Sequence, residues 1–305
     1  MASRPRRRGT ARLAPYAFIA PAVALFTLLL AVPIGYTVYL SFRKVHVKGL
    51  GLGPGARSEQ WAGLSNYTSA LHDSELVGGT LRVLGYGLIL VPAMLVLALL
   101  FALLLDSDRT RLRSFSRVAI FLPYAVPGVV ATLLWGFLYL PSVSPGYYLL
   151  HKMGSDGPQL LTGGGLYAAL ANIAIWGGTG FNMIVIYTSL RAIPPELYEA
   201  ARLDGAGELA VALRIKVPMV RPALVLTFFF SMIATLQVYS EPTTLKPLTN
   251  GLSSTWSPLM KVYRDAFTRG DVYAASATSV VIAVVTLVLS FGFLKLAGRR
   301  AYGEQ

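Results

Sequence analysis

The stretch Glu196–Pro218 reads ELYEAARLDGAGELAVALRIKVP and lies between two long apolar runs. It carries four acids (Glu196, Glu199, Asp204, Glu208) and three bases (Arg202, Arg214, Lys216). Pro194 and Pro195, just before it, suit a helix start, where a missing N–H costs nothing. Glu196 falls in the first turn, where a carboxylate is favoured by the helix dipole. Ala200 and Ala201 keep one face small, and Gly205 is a residue on which a helix can end with positive φ. A second helix is expected to set Leu209, Ala212, Leu213 and Lys216 on one face, with Pro218 stopping it. The expectation is a compact helix–turn–helix, small enough on one side to enter another protein's groove. The plainer alternative is a connecting loop.

The chain around this stretch is apolar. Of 305 residues, 54% are hydrophobic and only 13% charged, whereas soluble domains are nearer a quarter charged. The fold class expected is an all-α membrane protein. A span needs roughly 20 apolar residues, and six runs qualify, at about 14–42, 83–105, 118–140, 166–189, 222–240 and 273–294. The first follows Arg4, Arg6, Arg7, Arg8 and Arg12, but it is too long for the apolar core of a cleaved signal peptide. It is read as a retained anchor helix. The domain reading is a basic tail (1–13), a membrane domain (14–298) containing the polar loop 190–221, and a short tail (299–305).

Charge orients these runs. The net charge of +13 fits a membrane protein obeying the positive-inside rule better than a nucleic-acid binder, which needs a soluble basic face. With the N-terminus inside, one face collects 17 of the 27 bases: the N-terminal arginines, Arg109–Arg117, the loop bases and those near the C-terminus. The loop and both termini are therefore expected in the cytoplasm of a bacterial cell, the chain being a multi-pass inner-membrane protein. Several runs carry breakers: Pro21 and Pro33, Pro92, Pro123 and Pro127, and Gly177, Gly178 and Gly180. Breaks inside a membrane are tolerated where they line a cavity or are buried in protein, so Trp176–Gly180 is a candidate pathway break.

What the chain lacks narrows its chemistry. It has no cysteine, and its three histidines, His46, His72 and His151, are scattered singly, so no metal site is expected. No catalytic triad or carboxylate pair converges, and no phosphate-cradling G-x-x-x-x-G-K-[ST] loop occurs. The apolar runs are nearly free of ionisable groups, with Asp106 and Glu241 at span ends, so a self-sufficient secondary transporter has little to build an ion relay from. That class is kept as the alternative. Uphill movement through this chain would draw its energy from a partner.

Glu199-Ala200-Ala201, three residues, Gly205, nine residues, Ile215, one residue, then Val217-Pro218 resembles the "EAA" signature by which bacterial ABC importer permeases dock their ATPases. Val217 stands where that pattern usually has leucine. "GLSNYTSAL", "FLPYAVPGVVATLLW", "IPPELYEAARLDGAG" and "VYRDAF" with "YAASATSVV" resemble the carbohydrate-uptake branch, akin to maltose and glycerol-phosphate first permeases. "PLTNGLSSTWSP" departs from the glycine-glycine-proline stretch that relatives often carry. The resemblance implies ATPase coupling by Glu199, Ala200, Ala201, Asp204, Gly205, Ile215 and Pro218. It implies a second permease, two ATPase subunits holding ATP and Mg²⁺, and an extracytoplasmic binding protein or lipoprotein that delivers a sugar. This chain itself would hold no cofactor.

Sugars are bound by amides, hydroxyls and an aromatic platform. Run four offers Asn172, Trp176, Phe181 and Asn182, and run five offers Ser231, Thr235, Gln237 and Tyr239. By resemblance to maltose permeases, Trp176, Gly177, Gly178, Phe181 and Gln237 fall in the sugar pathway. The alternative is that these groups only bond neighbouring helices. Di- and oligosaccharides, amino sugars, polyols and glycerol phosphate are all compatible with the sequence.

Overall fold

The computed structural model describes residues 10–47, 57–107 and 110–301. The tail at 1–9, Lys48, Arg109 and the end at 302–305 lie outside the described residues. The chain forms two compact units, one reaching to His72 and including Asp265–Val281, the other containing Asp73–Arg264 and the residues from Ile282 on.

The first unit opens with α1 (Thr10–Phe26), a π-turn (Thr27–Ala31) and α2 (Val32–Ser41). Phe18, Leu28 and Ile34 along this helix are exposed, as expected of a helix apolar all round and meant for lipid. The π-turn has a local cause. The N–H of Val32 reaches back five residues to the Thr27 carbonyl, and the widened turn admits the ring of Pro33, which would clash in an unbroken α-helix. An antiparallel hairpin follows, β1 (Arg43–Val47) on β2 (Arg57–Trp61), with Arg43 opposite Trp61. This two-stranded hairpin, which the sequence did not suggest, is an addition to a mostly helical chain. Phe42 stacks on Trp61, with ring centroids 5.4 Å apart, and the Asn66 amide of α3 (Ser65–Leu71) donates to the carbonyls of Ser41 and Arg43. The hydroxyl of Tyr273 donates to Glu59 at 2.7 Å.

The second unit is built on α4 (Ser74–Asp106), which starts well before the expected 83. Asp73 caps it, accepting from the N–H groups of Glu75 and Leu76. The third run is broken into α5 (Arg113–Phe121), a 3₁₀ turn (Leu122–Ala125) and α6 (Gly128–Tyr139), which bend by 96°. Val126, held extended before Pro127, makes the break. After α7 (Pro145–Lys152) comes α8 (Gly165–Arg191), which is continuous. The expected break at Trp176–Gly180 is absent. Two of the glycines there are packing residues instead: a Cβ at Gly180 would lie 2.3 Å from the Ile120 carbonyl oxygen, and one at Gly178 would lie 2.6 Å from the Met94 sulfur, whereas Gly177 has open space around it.

The polar loop forms α9 (Glu196–Leu203), α10 (Glu208–Val211), a π-turn (Ala212–Lys216) and α11 (Val217–Met219). Then come α12 (Arg221–Leu236), α13 (Ser240–Leu245), α14 (Pro258–Tyr263) and α15 (Val272–Ala301), the last divided between the two units. Run five ends as helix at Leu236, short of the expected 240. Among the described residues, four helices are long and apolar enough to cross a membrane: Pro15–Ser41, Ser74–Asp106, Gly165–Arg191 and Val272–Gly292. Two bent pairs, Arg113–Ala125 with Gly128–Tyr139 and Glu208–Met219 with Arg221–Leu236, qualify jointly. The core of this unit lies where α4 packs on α8, with Ala98, Ala102 and Leu105 against Met183, Ile186 and Leu190. A second cluster places Trp256 and Leu245 from the segment after α12 among Tyr86, Tyr139 and Leu170.

Candidate functional site

The loop from Glu196 is fixed from both sides. Pro195 caps α9, and its carbonyl accepts from the Glu199 N–H. At the other end the Gly205 N–H bonds the Arg202 carbonyl at 3.0 Å and the Ala206 N–H bonds the Ala201 carbonyl at 2.9 Å. That pair of bonds requires a left-handed residue between them, and Gly205 has φ +81°. Arg202 pairs with Glu208 at 3.1 Å, tying α9 to α10. The second helix differs from expectation. Its middle is a π-turn in which the Val217 N–H reaches the Ala212 carbonyl, and Pro218 sits inside α11 rather than stopping it. The widened turn admits the proline ring, as it does before Pro33, and the chain turns only at Val220. Leu203, 89% exposed, and Leu209, 73% exposed, stand out from the loop, and Glu199, Ala200 and Asp204 are exposed beside them. Ala201, Ile215 and Pro218 are half-buried.

One contact anchors this loop to the membrane helices. Lys216 Nζ donates to Asp106 Oδ2 at 2.6 Å, with both side chains buried, and Arg191 approaches Asp106 Oδ1 at 3.7 Å. A carboxylate at the C-terminal end of α4 opposes the helix dipole, and the two cations offset that cost. Lys216 Nζ also lies 4.9 Å from the centroid of the Tyr198 ring on α9. These groups line a polar pocket of about 230 Å³ that also includes Glu199, Arg202 and Glu208. Burial, with the negative charge of Asp106, raises the pKa of Tyr198. Sequence reading placed Asp106 only at a span end and Lys216 only on a helix face. The charges themselves were the available signal, an acid and a base at the two ends of otherwise apolar segments.

A larger cavity, about 710 Å³, opens between α4, α6, α8, α12 and α13. Of the pathway candidates, Gly177, Gly178, Phe181, Ser231, Thr235, Gln237 and Tyr239 line it, together with Asn182. Phe181 stacks on Tyr124 at 5.0 Å, and Ser231 Oγ donates to Asn182 Oδ1 at 3.3 Å. Two candidates are placed elsewhere. Asn172 spends its amide on the Tyr139 hydroxyl at 2.7 Å, and Trp176 packs edge-on against Trp135, with centroids 5.9 Å apart. Neither is among the lining residues. Both lie on α8 too far round the helix from Phe181 to share its face. Sequence reading missed Tyr86, Tyr124 and Trp256 as lining residues, since they come from distant parts of the chain.

The model of the family described as "Binding-protein-dependent transport system inner membrane component" matches residues 67–300. The chain belongs to this family. As an inner-membrane component of a binding-protein-dependent transport system, it resembles the sn-glycerol-3-phosphate transport system permease protein UgpA of Salmonella typhimurium LT2. Identity is 28%, over 94% of each chain. UgpA of Escherichia coli O6:K15:H31 is equally similar, at 28% over the same shares. Among solved structures, a bacterial ABC transporter involved in alginate import superposes with TM-score 0.76 at 21% identity, covering 95% of this chain and 96% of that one. The alginate transporter in complex with a pentasaccharide-bound periplasmic protein gives TM-score 0.82 at 19% identity, covering 97% and 98%. The fold is thus that of an ABC importer permease.

Proposed function

We propose that this permease forms, with a second permease, the transmembrane pathway for a sugar or polyol, and that α9 to α11 couple it to two ATPase subunits. The observation that carries this reading is the loop itself: a helix–turn–helix set by Gly205, held to α4 by Lys216 and Asp106, and presenting exposed Leu203 and Leu209 to a partner. Exposed leucines on a rigid, salt-bridged loop suit a groove in another protein. Glu199, Ala200, Ala201, Asp204, Gly205, Ile215 and Pro218 are the coupling set. ATP and Mg²⁺ belong to the partner ATPases, and an extracytoplasmic binding protein delivers the solute.

In this reading each bent helix pair counts as one span, giving six spans with both termini and the loop in the cytoplasm. The basic tail is 1–13, the permease domain 14–298 and the last segment 299–305. The pathway runs through the 710 Å³ cavity, whose amides, hydroxyls and stacked Phe181–Tyr124 pair match the way sugars are held. The test is to purify the tagged chain from its native membranes in mild detergent, identify what co-purifies, and assay solute-stimulated ATP hydrolysis in proteoliposomes. Co-purification of an ATPase and a second permease is expected. Solute accumulation by this chain alone would refute the proposal.

A further inference from the structure

The relatives named above are described as handling glycerol phosphate or the acidic polysaccharide alginate, both anions, and the cavity of this chain has the wrong charge for either. None of its lining residues is Lys, Arg or His. One is acidic: Glu241, half-buried near the start of α13. Among the described residues no side chain hydrogen-bonds or ion-pairs with Glu241. Lys246, the base nearest to Glu241 in sequence, is exposed and does not line the cavity, and three other bases of this unit are committed elsewhere. Lys261 pairs with Asp73 at 2.9 Å, Arg264 grips Glu75 with two bonds of 3.0 and 2.6 Å, and Arg82 donates to the Trp256 carbonyl at 2.7 Å. The rest of the lining is neutral: Asn182, Ser231, Thr235 and Gln237 for hydrogen bonds, Tyr124 and Phe181 as a stacked aromatic face.

We infer that the solute passing this chain is an uncharged, hydroxyl-rich molecule of about disaccharide size, and that Glu241 selects against anions while accepting hydrogen bonds from solute hydroxyls. The inference rests on the cavity being the pathway. A carboxylate with no cation beside it repels a phosphate or uronate in a partly desolvated space, where charges are weakly screened. The same carboxylate has acceptor capacity on both oxygens, and sugar hydroxyls are donors. Charge-assisted hydrogen bonds of this kind are the stronger ones. A 710 Å³ space falls in the range of small-molecule sites, roughly 300–1,000 Å³.

The test uses the intact complex with its partner subunits, without the binding protein, so that the permeases alone discriminate. Radiolabelled maltose, trehalose and sorbitol are compared with sn-glycerol 3-phosphate, galacturonate and glucosamine by equilibrium binding and counterflow in proteoliposomes. The best neutral probe is expected to exceed both anions by on the order of tenfold or more. Glu241→Gln should weaken the neutral probe about tenfold and bring the anions within about threefold of it. Glu241→Lys should reverse the order. The inference is overturned if either anion matches the best neutral probe in the wild type, if glucosamine exceeds it tenfold, or if Glu241→Gln leaves the ratios unchanged. The pathway reading fails separately, and this inference with it, if no probe binds, or if Phe181→Ala, Gln237→Ala and Ser231→Ala alter the handling of no solute.

Discussion

Removing one partner of the Asp106–Lys216 pair should loosen the polar loop while leaving the apolar body of each membrane span unchanged. The two side chains are 5% and 10% exposed and meet at 2.6 Å. Deleting one charge from a buried pair strands the other, a loss of about 3–5 kcal/mol. The two deletions are not equal. Lys216→Met leaves Asp106 with Arg191 at 3.7 Å, although that arginine is 58% exposed and compensates weakly. Asp106→Asn removes the carboxylate charge beside Lys216, whose remaining close contact among the described residues is the Tyr198 ring at 4.9 Å, and should be the more damaging. The double variant Asp106→Leu with Lys216→Met strands no charge, so it should be milder than the sum of the two single charge deletions by about 2–3 kcal/mol. Hydrogen exchange followed by mass spectrometry in detergent reads this directly. Peptides over Glu208–Met219 should exchange on the order of a hundredfold to a few thousandfold faster in Asp106→Asn, since about 1.4 kcal/mol corresponds to tenfold. Peptides over α8 should change little. Single effects that add up in the double variant, or unchanged exchange in the loop, would refute the claim that this pair anchors it.

Gly205→Val should insert and express but lose ATPase co-purification. An added Cβ meets nothing within 4 Å, so the cost is the φ of +81° alone, about 1–3 kcal/mol; a normal yield of complex would reduce the turn to a linker. Gly180→Leu should abolish stable expression because its Cβ would lie 2.3 Å from the Ile120 carbonyl oxygen, whereas Gly177→Ala, with open space around it, should be neutral or up to about 1 kcal/mol stabilising in a melting assay. The cap of α4 should be acid-sensitive. Burial opposes ionisation of Asp73, but the Lys261 ammonium and the N–H groups of Leu76 and Glu75 outweigh it and hold the carboxyl below its ordinary 3.8. A lowered pKa contributes stability that is present above the unfolded value and lost as pH falls through the folded one. Wild type should therefore out-melt Asp73→Asn at neutral pH, with the gap closing below about pH 4; a gap independent of pH would remove the charge from the explanation.

Much of this protein is written locally. Long apolar runs place helices because a backbone in lipid must satisfy its own hydrogen bonds, and that demand depends on composition over about 20 residues. The turn at Gly205 is equally local: a small residue after the last helical turn, with the left-handed φ that its two capping bonds require. Breakers are where local reading divides. The chain breaks at Val126–Pro127, while Gly177 to Gly180 do not interrupt α8, and Pro21 and Pro92, also expected as breakers, stay inside α1 and α4, so the residue type alone does not decide a break. Pro218 stays inside a helix because a π-turn opens beneath it, a choice made by the register of the preceding turn. Only the tertiary structure decides the rest. Asp106 and Lys216 lie 110 residues apart. Tyr124 meets Phe181 because Gly180 lets the α5 backbone close on α8. Asn172 and Trp176, apt by composition, are turned to Tyr139 and Trp135 by the rotation of their helix. Sequence determines which segments seek burial, but which face of each helix meets which neighbour follows from packing the whole set together, and with it which polar groups stay free for a solute.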